Sequence, residues 1–435
     1  PLIHTAIQLG YSVDEVEINF TDRQNGKSTI NLLKSSLEIG FRALKLKLSK
    51  KKVYKILPIN NDSMVGAGVV YNKKRFITHT TLDYNVSALK TLHSWQKITI
   101  TLIGTILIAG IISNLLLTIQ VVIGLLSTIY FIDVMFNFFL IFKSLHHPPE
   151  IVISDQEIKN LEDKNLPIYS ILCPLYKEAH VLEAFIESIS KINWPKEKLD
   201  VLLLLEENDK DTIDVASNLV MPSYIRLVVV PDSNPKTKPK ACNFGLFSAK
   251  GEYLVILDAE DQPESDQLKK AYIAFSKTSS KVVCLQAKLN YYNPHQNLLT
   301  RLFTAEYSLW FEVILTGLQS IDTTIPLGGT SNHFRTKDLI HLGGWDPFNV
   351  TEDCDLGIRL FQSGFRTAII DSTTWEEANS DLKNWLRQRS RWIKGYMQTY
   401  LVHMRNPIDL IKKQGMHIVI LQLILGGKIA FIFIN

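Results

Sequence analysis

Carboxylates gather where short apolar runs of this sequence end. Asp258-Ala259-Glu260-Asp261 follows the run 253–257, and Glu206-Glu207-Asn208-Asp209 follows 201–205. Asp232 comes just after 225–230, and Tyr176-Lys177-Glu178 just after 168–173. Ordinary turn chemistry explains one such Asp or Asn at a strand end, but it does not require the whole group. Two carboxylates one residue apart, Asp258 and Glu260, can share a hard divalent cation, Mg2+ or Mn2+, that also takes diphosphate oxygens.

For these ends to meet, the apolar runs must lie side by side. Residues 168–173 read as a strand, after which Val181, Leu182, Phe185, Ile186 and Ile189 fall on one helical face. Residues 201–205 are continuously aliphatic, as in a strand buried on both faces. Residues 225–230 and 253–257 add two more, separated by a Pro/Lys-rich loop and a short helix. Such alternation predicts an α/β fold, a mostly parallel Rossmann-like sheet that binds its ligand beyond the carboxyl ends of the strands.

The chain has 435 residues, 46% hydrophobic and 21% charged, with a net charge of +4. That small excess gives no reason to expect a nucleic-acid partner. The four cysteines are scattered, without a CxxC pair or a disulfide framework, which fits a reducing compartment. Apolar residues are concentrated locally. Residues 98–142 carry one formal charge, Asp133, over a length that suits two membrane helices. The expected hairpin has helices at 98–117 and 121–142, with a turn between Asn114 and Gln120. Lys90, Lys97 and Lys143 flank it and the turn has no Lys or Arg, so both flanks are expected in the cytoplasm. Asp133 is either a functional or pairing group at membrane depth or an interfacial one. Residues 416–435 read as the start of a further span. Pro1 at the start and the apolar end are expected of a piece of a longer protein.

Residues 166–400 resemble the inverting family-2 glycosyltransferases of the processive, cellulose-synthase-like kind. Ser170-Ile-Leu-Cys-Pro-Leu-Tyr-Lys-Glu178 is similar to their opening strand and loop, and Lys238-Pro-Lys-Ala-Cys-Asn243 to their Lys-Ala-x-Asn segment. Asp258-Ala-Glu260 stands where they have Asp-x-Asp. Leu327-Gly-Gly-Thr-Ser-Asn-His333 resembles the acceptor-side loop, Thr351-Glu-Asp353 the segment with the catalytic base, and Gln388-Arg-Ser-Arg-Trp392 matches Gln-x-x-Arg-Trp. The resemblance implies a single GT-A-type domain at 166–405 between membrane helices. It implies a UDP- or GDP-sugar donor held by Pro174, Tyr176, Glu178, Glu206, Asp209, Lys240, Asn243 and Asp258, with Lys240 facing the diphosphate. The metal would sit on Asp258 and Glu260. A glycan or glycolipid acceptor would meet Gly329, Thr330, Glu352, Gln388, Arg391 and Trp392, with Asp353 as the base. The sequence departs from the family pattern at Glu260 and at Glu206-Glu207-Asn208-Asp209.

Asp353 is expected near a helix start, which would depress its pKa. Trp392 either stacks on an acceptor sugar or packs in the core. Residues 298–318 are either an in-plane helix on the membrane or core. Val16-Glu-Ile-Asn-Phe-Thr-Asp-Arg-Gln-Asn-Gly-Lys-Ser28 resembles the closing segment of polyprenyl-phosphate mannosyl- or glucosyltransferases, so that residues 1–50 would be the tail of an upstream transferase domain. Alternatively it is an ordinary strand and turn. Residues 143–165 read as a linker and residues 51–97 as a linker or an unassigned segment without a motif, with a basic cluster at 45–55 that either meets anionic lipid or is simply solvated. The leading expectation is a multi-pass enzyme of the cell membrane that extends a β-linked polysaccharide on the cytoplasmic side. A transferase glycosylating a membrane lipid and an inactive synthase subunit are the alternatives.

Overall fold

The computed structural model describes residues 55–56, 64–146, 149–415 and 417–431. The segment that resembles a polyprenyl-phosphate transferase lies outside the described residues. Two compact units divide the chain, residues 1–81 and 82–435. In the first, strands Lys55–Ile56, Gly68–Tyr71 and Lys74–Ile77 form a small antiparallel sheet. Asn72 and Lys73 take positive φ at its two-residue turn, as a tight hairpin requires.

The second unit opens with helix α1 (Ser94–Ser113) and helix α2 (Leu115–His146). The break between them is the single extended residue Asn114, whose side chain accepts from the Leu117 N–H at 3.0 Å. The expected turn over 114–120 is therefore corrected. No Gly, Pro or charge lies between 115 and 120, so the chain resumes its helix once Asn114 has capped it. Trp95 at the start of α1 and Ser144 near the end of α2 both return to the α/β body, hydrogen-bonding Arg405 and Thr316. Most other side chains along both helices face outward, with Ile112 80% and Leu116 74% exposed.

The α/β body is built on β1 (Tyr169–Leu175), β2 (Leu199–Glu206), β3 (Ile225–Val230), β4 (Tyr253–Ile256), β5 (Gln262–Pro263), β6 (Val282–Tyr291), β7 (Asn332–Arg335) and β8 (Arg366–Glu376). They form one mixed sheet in the order β3-β2-β1-β4-β7-β6-β8-β5. The first four are parallel, as the alternating pattern predicts. Strand β7 then runs antiparallel to both neighbours, and β8 lies parallel to β6. Every residue of β2 is buried because helices cover both faces of the sheet. One face packs Phe185, Ile189 and Phe275 against the sheet, the other Leu246, Leu339 and Leu360. Helix α3 spans Leu182–Ser190, α4 Lys210–Asn218, α5 Lys238–Ser248 and α6 Gln267–Lys277. On α5, a Cβ at Gly245 would lie 2.6 Å from a Leu204 methyl, so the glycine lets this helix press onto β2.

Helix α7 (Leu298–Ser308) runs on through a π-helical turn, Leu309–Ile314, into Leu315–Ser320. It does not choose between the two sequence readings. Phe303, Phe311 and Leu318 are core, while Leu298 and Leu302 stay 69% and 61% exposed on the other side. Helix α8 (Glu352–Gln362) and helix α9 (Leu382–His403) complete the body. Gly395 removes the side chain that would strike Thr351, so α9 packs directly on the loop entering α8. Residues leading into α1 fasten this corner. Asp346 accepts from Ser87 Oγ at 2.9 Å and the Ala88 N–H at 2.6 Å. Arg405, just past α9, donates to the carbonyls of Tyr84, Asn85, Ser87 and Lys90.

Candidate active site

The carboxyl ends of β1, β2 and β4 open into a cavity of about 1180 Å³ that continues past α7 and α9 to α2. Asp258, two residues beyond β4, lines it. Its Oδ1 accepts from Lys238 Nζ at 2.5 Å, and Lys238 also donates to the Gly329 carbonyl at 2.9 Å. The loop is braced from behind by Asp261, whose Oδ2 accepts from the Asp258 N–H at 2.7 Å and from Thr330 Oγ1. This brace joins the loop after β4 to the loop before β7. Burial by itself would lower the Lys238 pKa, but Asp258 and Glu352 together outweigh it and hold it above the ordinary lysine value.

Glu178, Glu260 and Glu376 share the cavity wall with Asp258. Burial, then Asp258 and Glu260, push Glu178 up to about 7. Glu260 is raised by burial, Asp258 and Glu377, and Glu376 strongly by burial and by Asp261 and Asp258. A crowd of carboxylates that lift one another's pKa is a place where a cation relieves repulsion. Among the described residues, no three His, Cys, Asp or Glu side chains converge into a cage. The donor set therefore fits an ion held by one or two carboxylates and completed by phosphate oxygens, which is how Mg2+ is usually bound.

Asp353 is the second residue of α8, and its Oδ1 accepts from the Cys354 N–H at 2.7 Å. The expected depression of its pKa is corrected. Burial lifts Asp353 to about 6 against the pull of its N–H bond and Lys238, and it lifts Glu352 further, with the Asp353 charge adding to the effect. Desolvation outweighs the helix start here. Gly329 stands next to Asp353, since a Cβ there would be 3.4 Å from Oδ2.

Helix α9 brings Gln388, Arg391 and Trp392 to the same cavity. Gln388 Oε1 accepts from Asn379 Nδ2 at 2.9 Å, and Arg391 lies close enough to Asp353 to lower its pKa. Trp392 takes part in both alternatives. It packs against Phe303 and Tyr307 at centroid distances of 6.0 and 6.3 Å, and it also lines the cavity. Pro174, Tyr176 and Glu206 also line the cavity. One Glu206 oxygen accepts from Lys240 at 2.7 Å, while the other is buried with no hydrogen-bond partner.

Three sequence expectations fall outside the cavity. Lys240 is fully buried, bonded to Glu206 and to the Ser233 carbonyl, so it supports Glu206 and does not face a diphosphate. Lys238 reaches the cavity in its place, because residues two apart on a helix point to different sides. Asn243 is also buried and holds the Trp345 backbone through two bonds of 2.9 Å. Asp209 caps α4 and accepts from the Lys177 N–H at 2.5 Å, which shapes the loop after β1. Conversely, Glu376 comes to the site only because β8 pairs with β6 and β5, and no local sequence signal marks it.

Residues 167–395 match the model of the family described as "Glycosyltransferase like family 2". The "Probable glycosyltransferase YdaM" of Bacillus subtilis is 25% identical over 265 residues, 58% of this chain and 60% of that protein. The "Probable glucomannan 4-beta-mannosyltransferase 15" of Arabidopsis thaliana is 26% identical over 276 residues, 61% of this chain and 48% of that protein. The chain thus spans about half to three-fifths of the length of these relatives. In structure, the mannosyltransferase PcManGT of Pyrobaculum calidifontis, solved with GDP-Man and Mn2+, matches with a TM-score of 0.50 at 18% identity over 70% of this chain and 83% of that one. That likeness concerns the fold, and it agrees with the mixed sheet found here. Since the family match covers more than half of the chain and takes in the loops that line the cavity, the chain belongs to the glycosyltransferase-like family 2.

Proposed function

We propose that this chain carries the catalytic domain, residues 166–405, of a membrane-embedded inverting glycosyltransferase that adds hexose from a nucleotide-sugar to a growing β-linked polysaccharide on the cytoplasmic face. The observation that carries this reading is the cavity. It joins the acidic end at Asp258 and the carboxylate of Asp353 to Trp392, then continues to Asp133 and Asn137 of α2. Helices α1 and α2 are long and apolar enough to cross a bilayer. Lys90, Lys97 and Lys143 support a cytoplasmic catalytic domain, and the apolar helical stretch His417–Phe431 supports the start of a further span. The exposed leucines of α7 support its outer side resting on lipid.

The acceptor hydroxyl lies between Trp392 and Asp353. As its oxygen attacks the anomeric carbon from the side opposite the phosphate, its proton passes to Asp353 and the bond from that carbon to the diphosphate oxygen breaks. The configuration inverts, and the negative charge left on the nucleoside diphosphate is met by Lys238 and Arg391. A divalent cation held by Asp258 and Glu260 supplies further neutralisation of that charge when bound. The free oxygen of Glu206 accepts a hydrogen bond from the nucleoside, with Tyr176 beside it. Because the Pyrobaculum neighbour was solved with GDP-Man and Mn2+, GDP-mannose with Mn2+ is the first donor to test. The decisive assay incubates the full-length protein in membranes with UDP- and GDP-sugars and measures product length. Polymer supports the reading, whereas a single-sugar glycolipid overturns polymerisation in favour of lipid glycosylation.

Two further results are expected. Asp353 must be ionised to act as base and its pKa is raised, so the active fraction grows as pH rises. The acceptor kcat/KM should climb through about pH 6 and level off above it. A flat pH–rate profile from about pH 5 to 8 removes Asp353 from this role. Trp392→Ala should lose about 1–3 kcal/mol in acceptor kcat/KM with donor affinity unchanged. Because the ring is only half-buried, its loss should cost less stability than the ~3–5 kcal/mol of a fully buried Trp. Early melting with equal loss of donor and acceptor function would make it a core residue.

A further inference from the structure

Arg389 stands inside the Gln388-Arg-Ser-Arg-Trp392 segment, and the reading above gives it no task. Its guanidinium is enclosed by aromatic rings, with centroids at 4.8 Å for Phe303 and 5.0 Å for both Trp385 and Trp392. Trp385 and Trp392 lie four residues before and three after it, so the three share one face of α9. Glu306 of α7 closes the arrangement as a two-pronged acceptor. Arg389 Nη1 donates to Oε1 at 2.7 Å and Nη2 donates to Oε2.

The two partners differ in access. The Arg389 side chain is 21% exposed, while that of Glu306 is 51% exposed, and both line the cavity next to Trp392. A carboxylate offers about four lone-pair sites, and the fork uses two of them. The remainder can accept hydroxyl protons on the cavity side. An aromatic face next to a fixed carboxylate recognises a neutral, polyhydroxylated ring, since C–H groups meet the ring and hydroxyls meet the oxygens. The same carboxylate, with Asp353 in the same cavity, disfavours a ligand bearing its own negative charge.

We propose that the Glu306–Arg389 pair determines acceptor specificity, with Arg389 positioning Trp392 and Glu306 accepting hydrogen bonds from the hydroxyls of an uncharged acceptor sugar. This rests on the reading that places the acceptor at Trp392. The competing role is a clasp that joins α7 to α9 and has no effect on ligand choice.

The test uses the full-length protein in detergent with GDP-mannose, or with whichever donor of the panel wild type uses. Acceptors are a neutral β-linked manno-oligosaccharide and its counterpart carrying one uronic acid. At low salt, wild type should show at least a ~10-fold higher KM for the charged acceptor. In Glu306→Gln the neutral acceptor's KM should rise ~10-fold, as loss of a hydrogen bond to a charged group predicts. The gap between the two acceptors should then narrow to within ~3-fold while the donor KM stays within ~2-fold. Arg389→Lys should weaken use of both acceptors yet keep the preference for the neutral one, since Glu306 remains. Donor and acceptor KM values moving together in Glu306→Gln, or an unchanged gap, overturn the proposal. If that variant does not fold, the wild-type comparison decides, and equal KM values for the two acceptors at low salt refute it. An active wild type without the split overturns this inference alone. A wild type that uses no donor overturns the glycosyltransferase reading and this inference with it.

Discussion

Asp353→Asn should cut transfer by ~10²–10⁴-fold, the usual contribution of a positioned general base, while donor affinity stays within about twofold of wild type. The amide keeps the shape of the side chain, and its oxygen can still accept the Cys354 N–H that now holds Oδ1 at 2.7 Å. What it cannot do is take the acceptor's proton. The proposed donor pocket uses other residues, with Asp258, Glu178 and Glu206 on separate loops, so nucleotide-sugar binding has no reason to fail. Turnover and calorimetric donor affinity measured on one preparation separate the two effects. Turnover near wild type would show that another group accepts the proton.

Donor affinity should collapse in Asp258→Ala, by at least about 100-fold in the presence of Mn2+. Two losses combine. A cation held as proposed would lose a ligand, and Lys238 would lose the carboxylate that now holds its Nζ at 2.5 Å. The substitution also removes one of the charges that raise Glu178, so the Glu178 pKa should fall from about 7 toward the ordinary glutamate range. Calorimetry with and without Mn2+ is the discriminating measurement. Wild type should bind the donor far more tightly with the metal, and the variant should lose that difference. Metal-dependent binding that persists unchanged would place the ion elsewhere.

Much of this site is legible in the chain because its signals are local. A strand that is aliphatic throughout, such as β2, has to be buried on both faces, and the polar residues that end it must emerge at the sheet's carboxyl edge. Residues 98–142 are legible from their length and lack of charge. The four parallel strands, the acidic edge and the Asp258–Glu260 pair follow from the sequence without further knowledge. The single-residue break at Asn114 was less legible, since an apolar stretch gives no sign of where a helix turns except its one short polar cap.

Tertiary structure decided what depends on docking and on dielectric. The resemblance put Lys240 at the diphosphate, but α5 pressing onto β2 through Gly245 and Leu204 sends Lys240 inward to Glu206 and leaves Lys238 at the cavity. Glu376 joins the acidic cluster through strand pairing between residues far apart in the chain, which no spacing encodes. Asp353 lies at a helix start, as its sequence implies, yet the direction of its pKa shift is set by burial among neighbours that only the fold assembles. By itself the sequence determined which residue types stand at the ends of the strands. The fold decided which of them share one low-dielectric cavity, because charge interactions and desolvation depend on distances in space and not on order along the chain.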